Sequence, residues 1–308
     1  MSSSGAPRIG LVGCGRWGSL ILRDLQALGA TVDVVARTQD GHDDLAARGA
    51  ELVTTSIADL SGVDGVIVAT PTISHAEVLD EVLRLGMPTF VEKPLTCDAT
   101  SSRRMAETAA DRLFVMDKWR YHPGVELLRD VLSSGRLGSL EGVRTTRVQW
   151  QNPHSDVDCA WILLPHDLSI ALEIVGEVPI PVDAVAWSRD GELAGLFGML
   201  RFSQGPWMHV EIGVTATSSN RRIEVIGSEA TAVLAGGWEE EVLVQSAAVD
   251  GSLVEERLPA TGEMPLLAEL RRFIEHLRGG PPPRSSAAEG AATVAAIEQL
   301  RHLAGVRG

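Results

Sequence analysis

The amino-acid sequence predicts an α/β fold, in which an N-terminal Rossmann domain precedes an α/β domain built on an open, mainly antiparallel sheet. Two patterns support this prediction. Strands and helices alternate along the first part of the chain, which is typical of right-handed crossovers in a parallel sheet. After Tyr121, short strands follow one another with Gly and Asp-Gly turns between them, as in an antiparallel meander. We therefore expect two domains, at residues 1–121 and 122–308, and a length of 308 residues suits two hydrophobic cores.

The first domain is predicted from short apolar runs that alternate with segments of helical spacing. The expected strands cover residues 8–12, 31–36, 63–69, 88–91 and 113–116. The expected helices cover residues 19–28, 43–48, 73–85 and 98–110. Each helix connects two strands, which is the pattern of a parallel sheet.

The second domain is predicted to contain two helices, a run of strands and two closing helices. The first two helices are expected at residues 123–132 and 160–175, and the closing pair at residues 264–277 and 287–303. The strands are expected at residues 142–150, 182–187, 193–202, 207–215, 222–226, 230–234, 242–244 and 252–258. The sequence Gly279-Gly280-Pro281-Pro282-Pro283 separates the closing helices, because proline cannot continue a helix.

Charge and cysteine content narrow the range of partners. The formal net charge is −14, so nucleic acid and anionic membrane surfaces are poor partners, and the longest apolar runs are too short to span a membrane. The three cysteines Cys14, Cys97 and Cys159 form no C-x-x-C pair, so we expect free thiols and no metal site. With no secretory signal pattern at the N-terminus, these features predict a cytoplasmic protein.

The loop Gly13-Cys14-Gly15-Arg16-Trp17-Gly18 follows the first strand and opens a helix. In that setting the first glycine allows a tight turn, the second lets the backbone approach a pyrophosphate, and the third allows close helix–strand packing. The helix N-terminus then offers free N–H groups to phosphate oxygens. A glycine-rich turn without a ligand is the alternative, but the strand–loop–helix context favours dinucleotide binding.

The end of the second strand predicts which dinucleotide is preferred. NAD sites place an acidic residue there to bind the ribose 2′-hydroxyl. Asp33 lies inside the strand, too early for that role, whereas Arg37 and Thr38 follow the strand and suit a 2′-phosphate. We therefore expect NADP in preference to NAD, with a solvent-exposed arginine as the alternative interpretation of Arg37.

Several motifs occur in order along the chain: the glycine loop, Ala69-Thr70-Pro71 with His75, Glu92-Lys93-Pro94, Trp119-Arg120-Tyr121-His122-Pro123, and Pro165-His166-Asp167-Leu168. Together they resemble the Gfo/Idh/MocA oxidoreductases, the family of glucose–fructose oxidoreductase and inositol dehydrogenase. The resemblance implies a dinucleotide-binding first domain and a second domain that binds substrate and forms a homodimer or homotetramer through its sheet. It also implies cofactor contacts from Gly13, Gly15, Arg16, Trp17, Gly18, Arg37, Thr38, Thr70, Pro71, His75, Glu92, Lys93, Pro94 and Arg120.

Two residues are the candidates for catalysis. Lys93 ends a parallel strand, where ligands of open α/β sheets bind, and we expect it to be the proton donor. His166, by resemblance, reaches the substrate. Many relatives carry an aspartate four residues before this histidine, but Ile162 stands there in this chain. Tyr121, His122, Trp161 and Ile162 are further candidates for contacts with the substrate.

The Ile162 departure leaves three interpretations open. His166 acts alone as a hydrogen-bond donor, or Asp156 or Asp158 approaches it from another direction, or the substrate is less polar than a sugar. The favoured function is NADP(H)-dependent reduction of a small carbonyl compound such as a keto-sugar. An imine reductase of the thiazolinyl imine type in a biosynthetic pathway is the second hypothesis, and a non-catalytic dinucleotide-binding protein is the third.

Overall fold

The structure, a computed structural model, describes residues 5–39, 41–152, 156–237 and 239–306. The strands in chain order are β1 (Arg8–Val12), β2 (Thr31–Val35), β3 (Leu52–Thr54), β4 (Gly65–Val68), β5 (Thr89–Glu92), β6 (Leu113–Met116), β7 (Leu140–Trp150), β8 (Ile180–Arg189), β9 (Glu192–Arg201), β10 (Trp207–Gly213), β11 (Thr215–Gly227), β12 (Ala230–Leu234), β13 (Glu241–Ala247) and β14 (Leu253–Pro259). The helices are α1 (Arg16–Ala27), α2 (His42–Ala47), α3 (His75–Val82), α4 (Ala99–Thr108), α5 (Pro123–Ser133), α6 (Cys159–Val175), α7 (Pro265–Leu277) and α8 (Ala287–Leu303).

The chain folds into two compact units whose division differs from the predicted one. The first unit contains Met1–Lys118 together with Met264–Val294, and the second contains Trp119–Glu263 together with Ala295–Gly308. The first boundary therefore falls three residues earlier than expected, and a later segment returns to the first unit. The domain division at residues 121 and 122 misses that return, because periodicity along a helix does not reveal which sheet the helix covers.

The first unit is a six-stranded parallel sheet in the order β3-β2-β1-β4-β5-β6. The strand order reverses between β1 and β4, and open α/β sheets bind ligands at the carboxyl ends of strands beside such a reversal. The glycine loop follows β1, Thr70-Pro71 follows β4, and Lys93-Pro94 follows β5. The predicted Rossmann topology is thus confirmed, and it places three of the predicted motifs at one edge of the sheet.

Helix α7 completes the core of the first unit. Leu270 and Phe273 are fully buried, and the Phe273 ring lies 5.1 Å from that of Phe90 on β5. These side chains share one apolar cluster with residues of β1 and α1. The burial explains why this late segment folds with the Rossmann sheet, since it covers apolar surface of that sheet.

The second unit is an eight-stranded sheet in the order β14-β13-β12-β11-β7-β10-β9-β8. Its neighbouring strands are antiparallel except for β7 and β10, which run parallel. The mainly antiparallel sheet is therefore confirmed. Helices α5 and α6 pack on the inner face, where Val225 on β11 is fully buried with residues of both helices. Among the described residues, no helix is long and apolar enough to cross a membrane.

Candidate active site

The glycine loop has the geometry that a dinucleotide requires. Gly13 has φ of +91°, and a Cβ there would lie 2.7 Å from the carbonyl oxygen of Ala69. A Cβ on Gly18 would lie 2.4 Å from the carbonyl oxygen of Gly13, so a side chain is excluded at both positions. A Cβ on Gly15 would meet nothing within 4 Å, which leaves open space in front of the loop.

The start of α1 also fits the phosphates of a dinucleotide. The helix begins at Arg16, and within this described stretch no side chain caps its N-terminus and no acidic residue lies in its first turn. Its first N–H groups and the positive end of its dipole are therefore available to an anion. Arg16 and Gly15 are both exposed.

The loops after β4 and β5 are tied together by His75. Its buried ring has Nδ1 2.8 Å from the carbonyl oxygen of Pro94 and Nε2 3.1 Å from that of Thr70. The Thr70 hydroxyl in turn accepts a hydrogen bond of 3.0 Å from Ser74. His75, expected to contact the cofactor, thus links the backbone that follows β4 to the backbone that follows Lys93.

Glu92 links the glycine loop to Lys93. The indole Nε1 of Trp17, in the first turn of α1, donates a hydrogen bond to Glu92 Oε1. The backbone N–H of Lys93 donates to Glu92 Oε2 at 3.2 Å. Burial raises the pKa of Glu92, and the charge of Lys93 and the Trp17 hydrogen bond act in the opposite direction. Trp17 was expected to contact the cofactor, but its nitrogen serves this internal bond.

Lysine is rare in this chain and is found only beside Glu92. The chain has 27 Lys and Arg residues, of which Lys93 and Lys118 are the only lysines. Both act on the Glu92 carboxylate electrostatically, and Lys118 Nζ lies 4.3 Å from the centre of the Trp17 ring. Because a lysine amine can lose its proton and an arginine cannot, this usage suits a site of proton transfer. The sequence contained this signal, and motif analysis missed it.

A buried carboxyl group from α7 joins the same cluster. Glu269 is fully buried, and neither of its oxygens has a hydrogen-bond partner among the described residues. Burial raises its pKa well above 4.5, and repulsion by Glu92 and Asp117 adds to the increase. Sequence reasoning missed Glu269 because α7 was assigned to the wrong sheet.

The end of β2 has the arrangement expected for a phosphate on the adenosine ribose. Asp33 is buried and accepts a hydrogen bond of 2.8 Å from Nε of Arg8, so its carboxylate is engaged within the sheet. Arg37 and Thr38 follow the strand and are both exposed. Arg37 forms no ion pair with another residue in the described part of the chain.

His166 stands out on α6 in the second unit. Every other residue from Cys159 to Ile174 is buried, whereas His166 is part-exposed. Its ring centre lies 6.4 Å from that of Trp119 in an edge-on arrangement. The next residue, Asp167, is buried and pairs with Arg147 Nε at 2.8 Å. Burial raises the pKa of Asp167, and Arg147 opposes that shift.

Comparison with known proteins identifies the family that the first unit resembles. A profile of the GFO_IDH_MocA oxidoreductase family, described by its NAD-binding Rossmann fold, matches residues 7–115. The dinucleotide-binding part of the chain is thus similar to the Gfo/Idh/MocA oxidoreductases. The chain is therefore an oxidoreductase with a Rossmann domain of the NAD-binding type, as the resemblance implied.

Similar enzymes of this family extend the match beyond the Rossmann domain. An inositol 2-dehydrogenase of Rhizobium meliloti (strain 1021) is 27% identical over 266 residues, which cover 79% of each chain. A UDP-N-acetylglucosamine 3-dehydrogenase of Acidithiobacillus ferrooxidans is 25% identical over 221 residues, which cover 70% of this chain and 67% of the relative.

Solved structures of family members share the whole fold. The UDP-N-acetylglucosamine 3-dehydrogenase of Acidithiobacillus ferrooxidans superposes with a TM-score of 0.84 at 21% identity, over 96% of each chain. A levoglucosan dehydrogenase in complex with NADH and levoglucosan superposes with a TM-score of 0.87 at 20% identity, over 97% of each chain. The similarity confirms a Rossmann domain followed by a domain on a mainly antiparallel sheet.

Two of the residues expected at the Gfo/Idh/MocA site have structural partners within the second unit. Arg120, expected to contact the cofactor, is buried and pairs with Glu173 at 3.0 Å. His122 begins α5, where its Nδ1 accepts a 3.1 Å hydrogen bond from Gly124 and its Nε2 lies 3.0 Å from the Gly237 oxygen. These contacts support packing and capping roles for both residues. Tyr121, the neighbouring candidate, is buried.

At the start of α6, two further candidate residues of the site, Asp158 and Trp161, have partners. Asp158 caps the helix by accepting a 3.0 Å hydrogen bond from Ala160, and it pairs with Arg301 at 2.5 Å. The Arg301 guanidinium lies 5.3 Å from the centre of the buried Trp161 ring. Asp158, considered as a partner of His166, and Trp161, considered as a substrate contact, thus hold the C-terminal end of α8 against α6. Ile162 is also buried.

Proposed function

We propose that this enzyme is an NADP(H)-dependent dehydrogenase that interconverts a carbonyl and a hydroxyl group on a sugar-like compound, such as a keto-sugar. Relatives named as dehydrogenases of inositol and of UDP-N-acetylglucosamine support the substrate class. The position of Lys93 carries the proposal. It is half-buried at the carboxyl end of β5, and Glu92 joins it to the helix of the glycine loop.

Lys93 is proposed to move the proton that accompanies the redox step. When bound, the nicotinamide supplies the hydride transfer at the substrate carbon. During reduction, the Lys93 ammonium donates a proton to the carbonyl oxygen as negative charge develops there, and solvent then reprotonates the amine. During oxidation, the Lys93 amine accepts the hydroxyl proton. Proton transfer by a positioned group contributes about 10²–10⁴-fold in rate.

His166 is proposed to orient the substrate rather than to move the proton. Its part-exposed ring on an otherwise buried stretch of α6 gives it an open direction in the second unit. The residue one helical turn earlier, Ile162, has no group that could orient the imidazole or raise its proton affinity. A hydrogen bond from His166 to a substrate oxygen needs no such partner.

The preference for NADP is proposed from the end of β2. Arg37 and Thr38 are exposed there, so a guanidinium and a hydroxyl can bind a 2′-phosphate. Asp33 could have favoured NAD, but its carboxylate is paired with Arg8. We infer from these two facts that NADP binds more tightly than NAD.

Imine reduction is the second candidate, and the buried Ile162 favours it. An iminium carbon is already a strong electrophile, so hydride transfer to it depends less on a charged Asp–His pair beside the substrate. In that reaction Lys93 would protonate the ring nitrogen. The same site residues would thus serve carbonyl reduction and imine reduction. The substrate that is turned over distinguishes the two reactions.

A homo-oligomer is proposed through the outer face of the second sheet. Val185 on the edge strand β8 lies opposite Phe197 on β9, and both side chains are largely exposed. Val182 and Met199 extend this exposed apolar area along the same two strands. Large exposed apolar patches usually mark an interface, and a second copy of the chain suits a continuous sheet face.

A turnover screen tests the proposed reaction. The purified enzyme would be assayed by cofactor absorbance with NADP or NAD against cyclic polyols, keto-sugars and cyclic imines. We expect polyol oxidation and keto-sugar reduction, each faster with NADP. Turnover restricted to imines would support the second candidate. Binding of NADPH without turnover of any class would contradict the proposal.

A further inference from the structure

The inner face of the second sheet changes from apolar to cationic along two neighbouring strands. Val143 lies opposite Val225, and the next pair on this face, Thr145 and Ile223, is also buried. The pair after that is Arg147 and Arg221. Directly opposed residues of antiparallel strands have neighbouring side chains on one face, so two guanidinium groups meet where the apolar core ends.

Arg147 has both a carboxylate and an aromatic partner within this unit. Its Nε donates to Asp167 at 2.8 Å, and both side chains are at least 96% buried. Its guanidinium also lies 4.6 Å from the centre of the Trp119 ring. The charge of Arg147 is therefore balanced by a carboxylate, and the group is part of the protein core.

Arg221 does not have such a partner. Among the described residues, its one hydrogen bond is from Nη2 to Oε1 of Gln149, at 3.2 Å. Burial lowers the pKa of Arg221, repulsion by Arg147 lowers it further, and Asp167 acts in the opposite direction. Like charges placed opposite each other destabilise a sheet, and no acidic side chain among the described residues forms an ion pair with Arg221.

The surroundings of Arg221 lead back to the proposed substrate residues. A Cβ on Gly237 would lie 3.1 Å from Arg221 Cδ and 3.0 Å from Trp119 Cη2, so glycine keeps this space clear. Trp119 is also the ring beside His166. Arg221 and His166 therefore both lie in the neighbourhood of Trp119.

We propose that Arg221, with Gln149 beside it, binds an anionic group of the substrate, either a carboxylate or a phosphate. The substrate class is then an acidic sugar derivative rather than a neutral polyol. This inference rests on the proposed dehydrogenase function. The anion would pair with a guanidinium that has no carboxylate of its own among the described residues, and a planar guanidinium is well suited to hold either group by two hydrogen bonds.

Matched pairs of ligands test this inference. Glucuronate would be compared with glucuronamide, and glucose 6-phosphate with glucose, so that each pair differs in one charged group. Binding would be followed by tryptophan fluorescence at saturating cofactor, and turnover by cofactor absorbance. We expect the acidic member of at least one pair to bind about 10–100-fold more tightly, the range for a hydrogen-bonded ionic group. The two pairs distinguish a carboxylate from a phosphate.

Arg221→Gln and Arg222→Gln form a matched pair of variants. Arg222 is the next residue on β11, and it pairs with Glu224 at 2.7 Å. We expect Arg221→Gln to abolish the preference for the acid by raising the KM of the acidic ligand. The KM of the neutral ligand and the Kd of NADPH should stay unchanged. Arg222→Gln should preserve the preference. A thermal unfolding curve for each variant verifies that both are folded.

The outcomes separate this inference from the proposed function. If acids bind in an Arg221-dependent way but no cofactor is turned over, the anion site is supported and the dehydrogenase proposal fails. If neutral sugars are turned over without any preference for acids, the dehydrogenase proposal is supported and the anion site is wrong. The anion site is also wrong if the wild type binds none of the acids, or if Arg222→Gln lowers acid binding as much as Arg221→Gln.

Discussion

The hydrogen bond from the Trp17 indole to Glu92 joins the helix of the glycine loop to the strand end that carries Lys93. Both residues lie in motifs that resemble the family, yet their direct contact is not visible in either motif. The bond gives the buried Glu92 carboxylate a neutral donor in addition to the lysine charges. We infer that it keeps the glycine loop and Lys93, the proposed proton donor, at a fixed spacing.

Trp17→Phe tests this link. The variant removes the indole donor and keeps an aromatic ring, so the buried carboxylate loses a partner. We expect the free energy of unfolding to fall by about 1–3 kcal/mol and the pKa of Glu92 to rise further. Urea unfolding measures the first effect. Trp150→Phe is the control, since Trp150 is 53% exposed, and an equal loss in both variants would contradict the link.

Glu269 predicts a distinctive pH dependence of stability. Its pKa in the folded state lies well above 4.5, so the folded protein retains a proton that the unfolded chain releases. The stability from this group is present below about pH 4.5 and is lost as pH rises through the folded pKa. We expect Glu269→Gln to flatten the fall in unfolding free energy between mildly acidic and mildly alkaline pH.

Glu275→Gln provides the control on the same helix. Glu275 is part-exposed and pairs with Arg272 at 3.2 Å. The unfolding free energy of Glu275→Gln should therefore change with pH as steeply as that of the wild type. Urea unfolding at a series of pH values gives the slopes of all three proteins. Identical slopes for wild type and Glu269→Gln would show that the buried carboxyl group does not titrate as described.

Arg37→Ala tests the cofactor preference. Loss of a charge-assisted contact to the 2′-phosphate should weaken NADP binding by about 10–100-fold and leave NAD binding nearly unchanged. Fluorescence titration with both reduced cofactors measures these constants. Arg23→Ala is the control, because Arg23 on α1 already pairs with Asp24 at 2.7 Å. An unchanged ratio of the two affinities in Arg37→Ala would refute the role of Arg37.

Phe197→Glu tests the proposed oligomer. A charge in the exposed apolar area of β8 and β9 should oppose burial of that face against a second copy. We expect sedimentation to show a smaller species for Phe197→Glu than for the wild type, with an unchanged far-ultraviolet spectrum. Arg201→Glu, further along β9, is an exposed control. A monomeric wild type would contradict the proposal.

The Rossmann half was predictable because its signals are local. Glycines at positions 13 and 18 exclude side chains for reasons that a strand–loop–helix pattern already implies, and the structure shows the same exclusion. Strand β3 was missed because three residues at a sheet edge are too short for a periodic pattern. Asp33 was placed inside β2, where the structure has it, but its partner Arg8 was not foreseen.

The rest of the site depends on contacts between distant segments, which a single sequence does not reveal. Glu269 reaches the Glu92 cluster only because α7 returns to the first sheet. Arg147 and Arg221 are separated by many residues and meet through strand register. The ion pair of Arg120 with Glu173 and the contact of Trp161 with Arg301 were not foreseen for the same reason, and the ligand contacts expected of Arg120 and Trp161 stay predictions.

The most direct test of the central proposal is single-turnover reduction of the best carbonyl substrate by wild type, Lys93→Met and Lys93→Arg. The methionine removes the ionisable amine, and the arginine retains the positive charge on a group that does not give up a proton in a protein. We predict that both variants lower the rate by about 10²–10⁴-fold while the Kd of NADPH is preserved. A wild-type rate in Lys93→Met, or recovery of that rate in Lys93→Arg, would contradict proton transfer by Lys93.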